Sequence, residues 1–81
     1  GEKKNINKLY IRVDDLQKAK EMKPKLIQIA NEYKGDSAIY IFTSNDRKSY
    51  RMPREIWVDL NTDIVFELKN IFGENNVKIV D

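Results

Sequence analysis

The sequence predicts a small α+β domain, a two-layer α/β sandwich in which two helices cover one face of a mixed sheet. Two observations lead there. Apolar residues recur with a period of two in several short runs and with a period near 3.6 in two longer ones, the signatures of strands and amphipathic helices. The runs follow one another as β-α-β-β-(β)-α-β, and helices laid on one side of a sheet are the simplest packing of that order. The 81 residues fit a single domain over 8–81, behind a polar stretch at 1–7 read as a frayed tail or a remnant of tag removal.

Each element has a local reason. In Lys8–Val13, Leu9, Ile11 and Val13 alternate with Tyr10 and Arg12, which makes a half-buried strand. Asp14 or Asp15 is a natural N-cap for the helix that follows. At 100° per residue, Leu16, Ala19, Met22, Leu26, Ile27, Ile29, Ala30 and Tyr33 fall within one arc of about 160°. Pro24 lies on the opposite side, so the helix either bends there or restarts, and Lys23 before it resists helical angles. Gly35 suits the left-handed position that closes a helix.

Ala38–Thr43 is apolar on both faces, as a central strand is. The turn cluster Ser44-Asn45-Asp46 joins it to Lys48–Met52, with Tyr50 and Met52 inward, and Pro53 stops that hairpin. Ile56, Val58 and Leu60 share one face of a further extended piece, with Trp57 on the other. Asn61 or Thr62 caps a second helix, with Asp63 at its positive end. Ile64, Val65, Leu68, Ile71 and Phe72 form its apolar stripe, Gly73 ends it, and Val77–Val80 is the last strand.

Composition narrows the function classes. A chain this short buries roughly 60–65% of its unfolded surface, and with no cysteine or histidine it has neither disulfide nor zinc to reinforce the core. The longest apolar run, Ala38–Phe42, is far short of the ~18 residues of a membrane span. No charged-apolar-small pattern opens the chain, so no signal peptide is expected, and the cytoplasm is the expected compartment. Gly1 in place of methionine points to a piece of a longer protein. The net charge of +2 is unevenly spread: Arg47, Lys48, Arg51 and Arg54 stand within eight residues free of acids, and residues 55–81 are acidic.

Without histidine and cysteine the usual general base, thiol nucleophile and transition-metal ligands are missing. Gly1, Gly35 and Gly73 make no phosphate loop. Asp14-Asp15 and Asp59 with Asp63 are carboxylate pairs, but a hard cation needs more oxygens than a pair offers, and capping accounts for Asp14, Asp15 and Asp63. No cofactor, metal or catalytic residue is therefore expected, and the isolated domain is expected to be monomeric. Two kinds of contact remain. The basic hairpin residues Arg47, Lys48, Arg51 and Arg54 are candidates for gripping single-stranded DNA, with Tyr50 either stacking on a base or pointing inward. Phe66, opposite the apolar stripe of its helix, and Trp57, opposite Ile56 and Val58, are candidate partner contacts; Trp57 alternatively lies over the other face of the sheet.

Certain local runs carry a family resemblance. They are Leu9-Tyr10-Ile11, Tyr33-Lys34-Gly35, Ala38-Ile39-Tyr40-Ile41, Tyr50-Arg51-Met52-Pro53, Val58, Glu67-Leu68-Lys69 and Gly73-Glu74-Asn75-Asn76-Val77. In these the chain resembles the C-terminal domain of the bacterial DNA polymerase III alpha subunit of the Gram-positive type. The resemblance implies a non-catalytic accessory domain of a DNA-directed DNA polymerase, remote from the polymerase palm. It also implies contact with a replisome partner such as the clamp-loader tau subunit. The family's catalytic aspartates have no counterpart here, so no catalytic role carries over to any residue.

Overall fold

A computed structural model describes residues 7–80; the first six residues of the expected tail lie outside them. The elements are β1 (Lys8–Val13), α1 (Leu16–Glu32), β2 (Lys34–Ser37), β3 (Ile39–Thr43), β4 (Lys48–Arg51), α2 (Thr62–Phe72) and β5 (Val77–Val80), with 3₁₀ turns at Arg54–Ile56 and Glu74–Asn76. This is the expected α+β fold. The sheet is mixed and four-stranded, in the order β4-β3-β1-β5. β1 and β3 run parallel at its centre, with Leu9 opposite Ile39 and Ile11 opposite Ile41. β4 pairs antiparallel to β3, and β5 antiparallel to β1.

Parallel pairing of β1 and β3 requires a crossover between them, and α1 provides it. Asp15 is the N-cap, its carboxylate accepting from the Lys18 N–H at 2.9 Å. The helix is continuous through Pro24, so it does not restart there. Pro24 is exposed, and the Lys20 carbonyl left without a helical donor lies on that same wetted side. Ala19, Leu26, Ile29 and Ala30 are buried, while Leu16, at the rim of the arc, is not.

Asn61 caps α2, its side-chain oxygen accepting from the Ile64 N–H at 3.0 Å. Ile64 and Leu68 are fully buried. Gly73 at the C-terminus has φ of 97°, a conformation that a side chain would strain. The core lies between helices and sheet: Leu9, Ile11, Ile39, Ile41 and Val77 from the sheet meet Leu26, Ile29, Ala30, Ile64 and Leu68, with Ile56 and Val58 at one end. Full burial of a leucine or isoleucine here stabilises by roughly 1.5–3 kcal/mol.

Two expectations need correction. Gly35 is not a left-handed helix cap: α1 ends at Glu32, Tyr33 is the C-cap with φ of −129°, and Gly35 lies within the extended strand β2. Its lack of a side chain serves a close approach, because a Cβ there would collide with the backbone of Asp59. The extended piece at 56–60 is likewise not a strand of the sheet. Residues 54–56 form a 3₁₀ turn, and Val58 bridges to Lys34 and Ser37. Gly35 N–H donates to the Trp57 carbonyl at 3.3 Å, and Asp59 N–H to the Tyr33 carbonyl at 2.6 Å. These bonds tie the end of α1 to the connection before α2.

Candidate functional site

The sheet has a covered face and an open one. Side chains alternate along a strand, so Leu9, Ile11, Ile39, Ile41 and Val77 turn toward the helices. The register then sets Lys8, Tyr10 and Arg12 of β1, Tyr40 and Phe42 of β3, Ser49 and Arg51 of β4, and Lys78 and Val80 of β5 on the open face. One row crosses all four strands as Arg51, Tyr40, Tyr10, Lys78. The two tyrosine rings stack, with centroids 4.8 Å apart and planes 12° from parallel. Lys8 Nζ stands 5.9 Å from the Tyr40 ring centre. Arg12 donates through Nε to Asn76 Oδ1 at 3.1 Å. No described strand residue on this face is acidic.

The basic hairpin is divided by its own geometry. Arg51 turns to the open face, whereas Tyr50 pairs with Ile41 and so turns toward the helices. Arg47 closes the turn in a left-handed conformation, φ 55°. Within this turn the buried Thr43 hydroxyl donates to the Asp46 carboxylate. Arg54 is drawn back by Asp36, an exposed ion pair at 3.4 Å.

Trp57 and Phe66 are placed at opposite edges. Trp57 is half-buried beside β4; its indole N–H donates to the Met52 carbonyl at 3.0 Å, and the guanidinium carbons of Arg51 and Arg54 lie 4.8 and 5.3 Å from its ring. Its surface is therefore largely engaged within the chain. Phe66 is 67% exposed on α2. It borders a groove toward β5 with Leu60, Val65, Lys69 and Ile79. Asn7 lines the same groove, and its Oδ1 is buried without a hydrogen-bond partner among the described residues. Ile79 pairs with Leu9 on the helix face but stands at the sheet edge, where it is 40% exposed.

A second, more polar cleft opens at the carboxyl ends of β1 and β3, among Asp14, Lys18, Glu21, Lys25 and Ile71. Its charges are of both signs, and Lys18 pairs with Glu21 at 3.8 Å. Among the described residues no group of three acids converges as a cation site. At the helix layer Tyr33 donates its hydroxyl to Glu67 at 3.0 Å. That bond, then burial and the nearby negative charge of Glu67, Asp63 and Glu32, raises the phenol above its ordinary value of 10.0.

Comparison with known proteins adds one relationship. The chain is similar to a polymerase subunit. Over 69 residues it is 23% identical to DNA polymerase III subunit alpha of Bacillus subtilis (strain 168), a stretch covering 85% of this chain and 6% of that protein. This is the protein type that the local runs resemble. No family model matches the chain, and no solved structure matches it. No helix among the described residues is long and apolar enough to cross a membrane.

The structure adds residues that the sequence left out. Ile79 joins Phe66, Leu60 and Val65 only once β5 is paired beside β1. Tyr10, Tyr40 and Phe42 become one surface only once β1 and β3 are adjacent. The alternation that separated Tyr10 and Arg12 from Leu9 and Ile11 was the available signal for the second group.

Proposed function

We propose that this chain is a non-catalytic accessory domain of a replicative DNA polymerase, and that it docks a replisome protein of the clamp-loader tau type. The observation that carries the docking is the exposed apolar groove around Phe66. Phe66, Ile79, Leu60 and Val65 offer an aromatic anchor with aliphatic walls, the composition of an interface centre. Similarity to the polymerase subunit supplies the context. The parent activity in this reading is DNA-directed nucleotidyl transfer, and the reacting groups stand elsewhere in that parent.

Titration of isotope-labelled chain with a clamp-loader tau fragment tests the reading. Shift changes are expected to centre on Phe66, Ile79, Val65 and Leu60. Phe66→Ser is expected to weaken the complex by about 30-fold, as loss of an interface hot spot does. An unchanged spectrum at saturating partner would remove the tau assignment.

A further inference from the structure

We propose that the open face of the sheet binds single-stranded nucleic acid. Bases stack on the Tyr10–Tyr40 pair and on Phe42, and phosphates are held by Lys8, Arg12, Arg51 and Lys78. The site is distinct from the Phe66 groove: it lies on the face that the helices leave uncovered, and it stands or fails without the tau reading.

The starting point is what this face lacks a folding reason for. A sheet covered on one side normally turns polar residues to water on the other. Here the two central strands place Tyr10, Tyr40 and Phe42 there, each half-buried. Pairing across the strands explains the contact between Tyr10 and Tyr40, because stacked rings stabilise neighbouring strands. It does not explain why the surrounding charges all carry one sign. Lys8, Arg12, Arg51 and Lys78 come from three different strands, and no described strand residue on the face answers them with an acid. Like charges gathered over a small surface repel, so the arrangement costs stability unless an anion lies across it.

The geometry matches one class of anion. An extended single strand presents flat bases on one side and a regular row of phosphates on the other. The row Arg51, Tyr40, Tyr10, Lys78 sets the stacked tyrosine pair at the centre, each ring keeping for a base the face turned away from the other, with a cation at each end. Phe42 beside Arg12 repeats the pair of roles one step along the parallel strands. Sequence-tolerant single-strand binders combine these two parts, aromatic platforms under the bases and a positive track for the backbone. A duplex keeps its bases stacked on each other and leaves such rings without partners. An acidic protein surface would meet the cations but leave the outer faces of these half-buried rings without a partner.

The test is fluorescence anisotropy of a dye-labelled oligothymidylate about ten nucleotides long, within the ~4–16-nucleotide footprints of comparable platforms, titrated with the 81-residue chain. Binding is expected at low salt, with a log–log salt slope of about −2 to −3 for three or four phosphates at about −0.7 each. Tyr10→Ala and Tyr40→Ala are expected to weaken it on the order of tenfold, and Tyr10→Phe to stay within about twofold. Lys78→Gln and Arg51→Gln, at exposed positions, are expected to flatten the slope by about 0.7 each. They keep the test decisive where alanine at a central tyrosine unfolds the chain. Oligodeoxyuridylate and oligouridylate run in parallel identify the sugar, since tighter binding by either strand supports the site. Absent binding at low salt, equal affinity for a duplex of the same length, or an unaltered slope in both glutamine variants overturns the proposal. Phe66→Ser is expected to leave oligonucleotide affinity unchanged; a loss there would move the site off the sheet and refute it.

Discussion

Replacing Gly35 by alanine tests the least expected feature of the fold. A Cβ at this position meets the backbone nitrogen and Cα of Asp59, atoms that cannot rotate away. Forcing the two segments apart carries the overpacking cost of about 1–3 kcal/mol. It also strains the Gly35–Trp57 and Asp59–Tyr33 backbone hydrogen bonds, each contributing about 0.5–1.5 kcal/mol net. Against this, alanine lowers the entropy of the unfolded chain and returns about 0.4–1 kcal/mol. A net loss of about 2–3 kcal/mol follows, set against a total of about 4–12 kcal/mol for a chain of this length. Urea unfolding followed by circular dichroism should show the midpoint falling by about 2–3 M at an m-value near 1 kcal/mol/M. Gly35→Asn separates the explanations. At a left-handed cap asparagine outperforms alanine, whereas beside the Asp59 backbone its greater bulk makes it no better. A loss below about 0.5 kcal/mol for Gly35→Ala, or asparagine ranking above alanine, would refute the close approach as the reason for glycine.

Four further outcomes are expected. Pro24→Ala should stabilise the chain by about 1–2 kcal/mol in the same assay, because the exposed helix regains a hydrogen bond and keeps its course. Leu68→Ala should cost about 2–5 kcal/mol, since its fully buried side chain joins α2 to the sheet; Phe66→Ser should stay within about 0.5 kcal/mol. Tyr33 has a folded pKa above its unfolded value, so its contribution is fully present below about pH 10 and is lost as pH rises through the folded value. Unfolding midpoints compared across alkaline pH should therefore fall more steeply for the native chain than for Tyr33→Phe.

The element types were legible because each depends on neighbours in sequence. Alternation in Lys8–Val13, the eight-residue arc of α1 and the stripe of α2 record which side of each element is buried, and the caps at Asp15 and Asn61 mark where the helices start. Phe66 stood out for the same reason, as a large apolar side chain out of phase with its own helix. The absence of histidine and cysteine, likewise, is a property of the sequence alone.

Strand order was not legible, and both candidate surfaces depend on it. Pairing energies of neighbouring strands leave no period in the sequence, so nothing local says that β1 lies between β3 and β5. Once it does, Tyr10 meets Tyr40 and Ile79 comes to the groove beside Phe66. Gly35 misled for the same physical reason: glycine after a helix is written identically whether it supplies a left-handed angle or makes room for a distant backbone. Local periodicity determined what each segment buries; only the assembled sheet decided which exposed side chains share a surface.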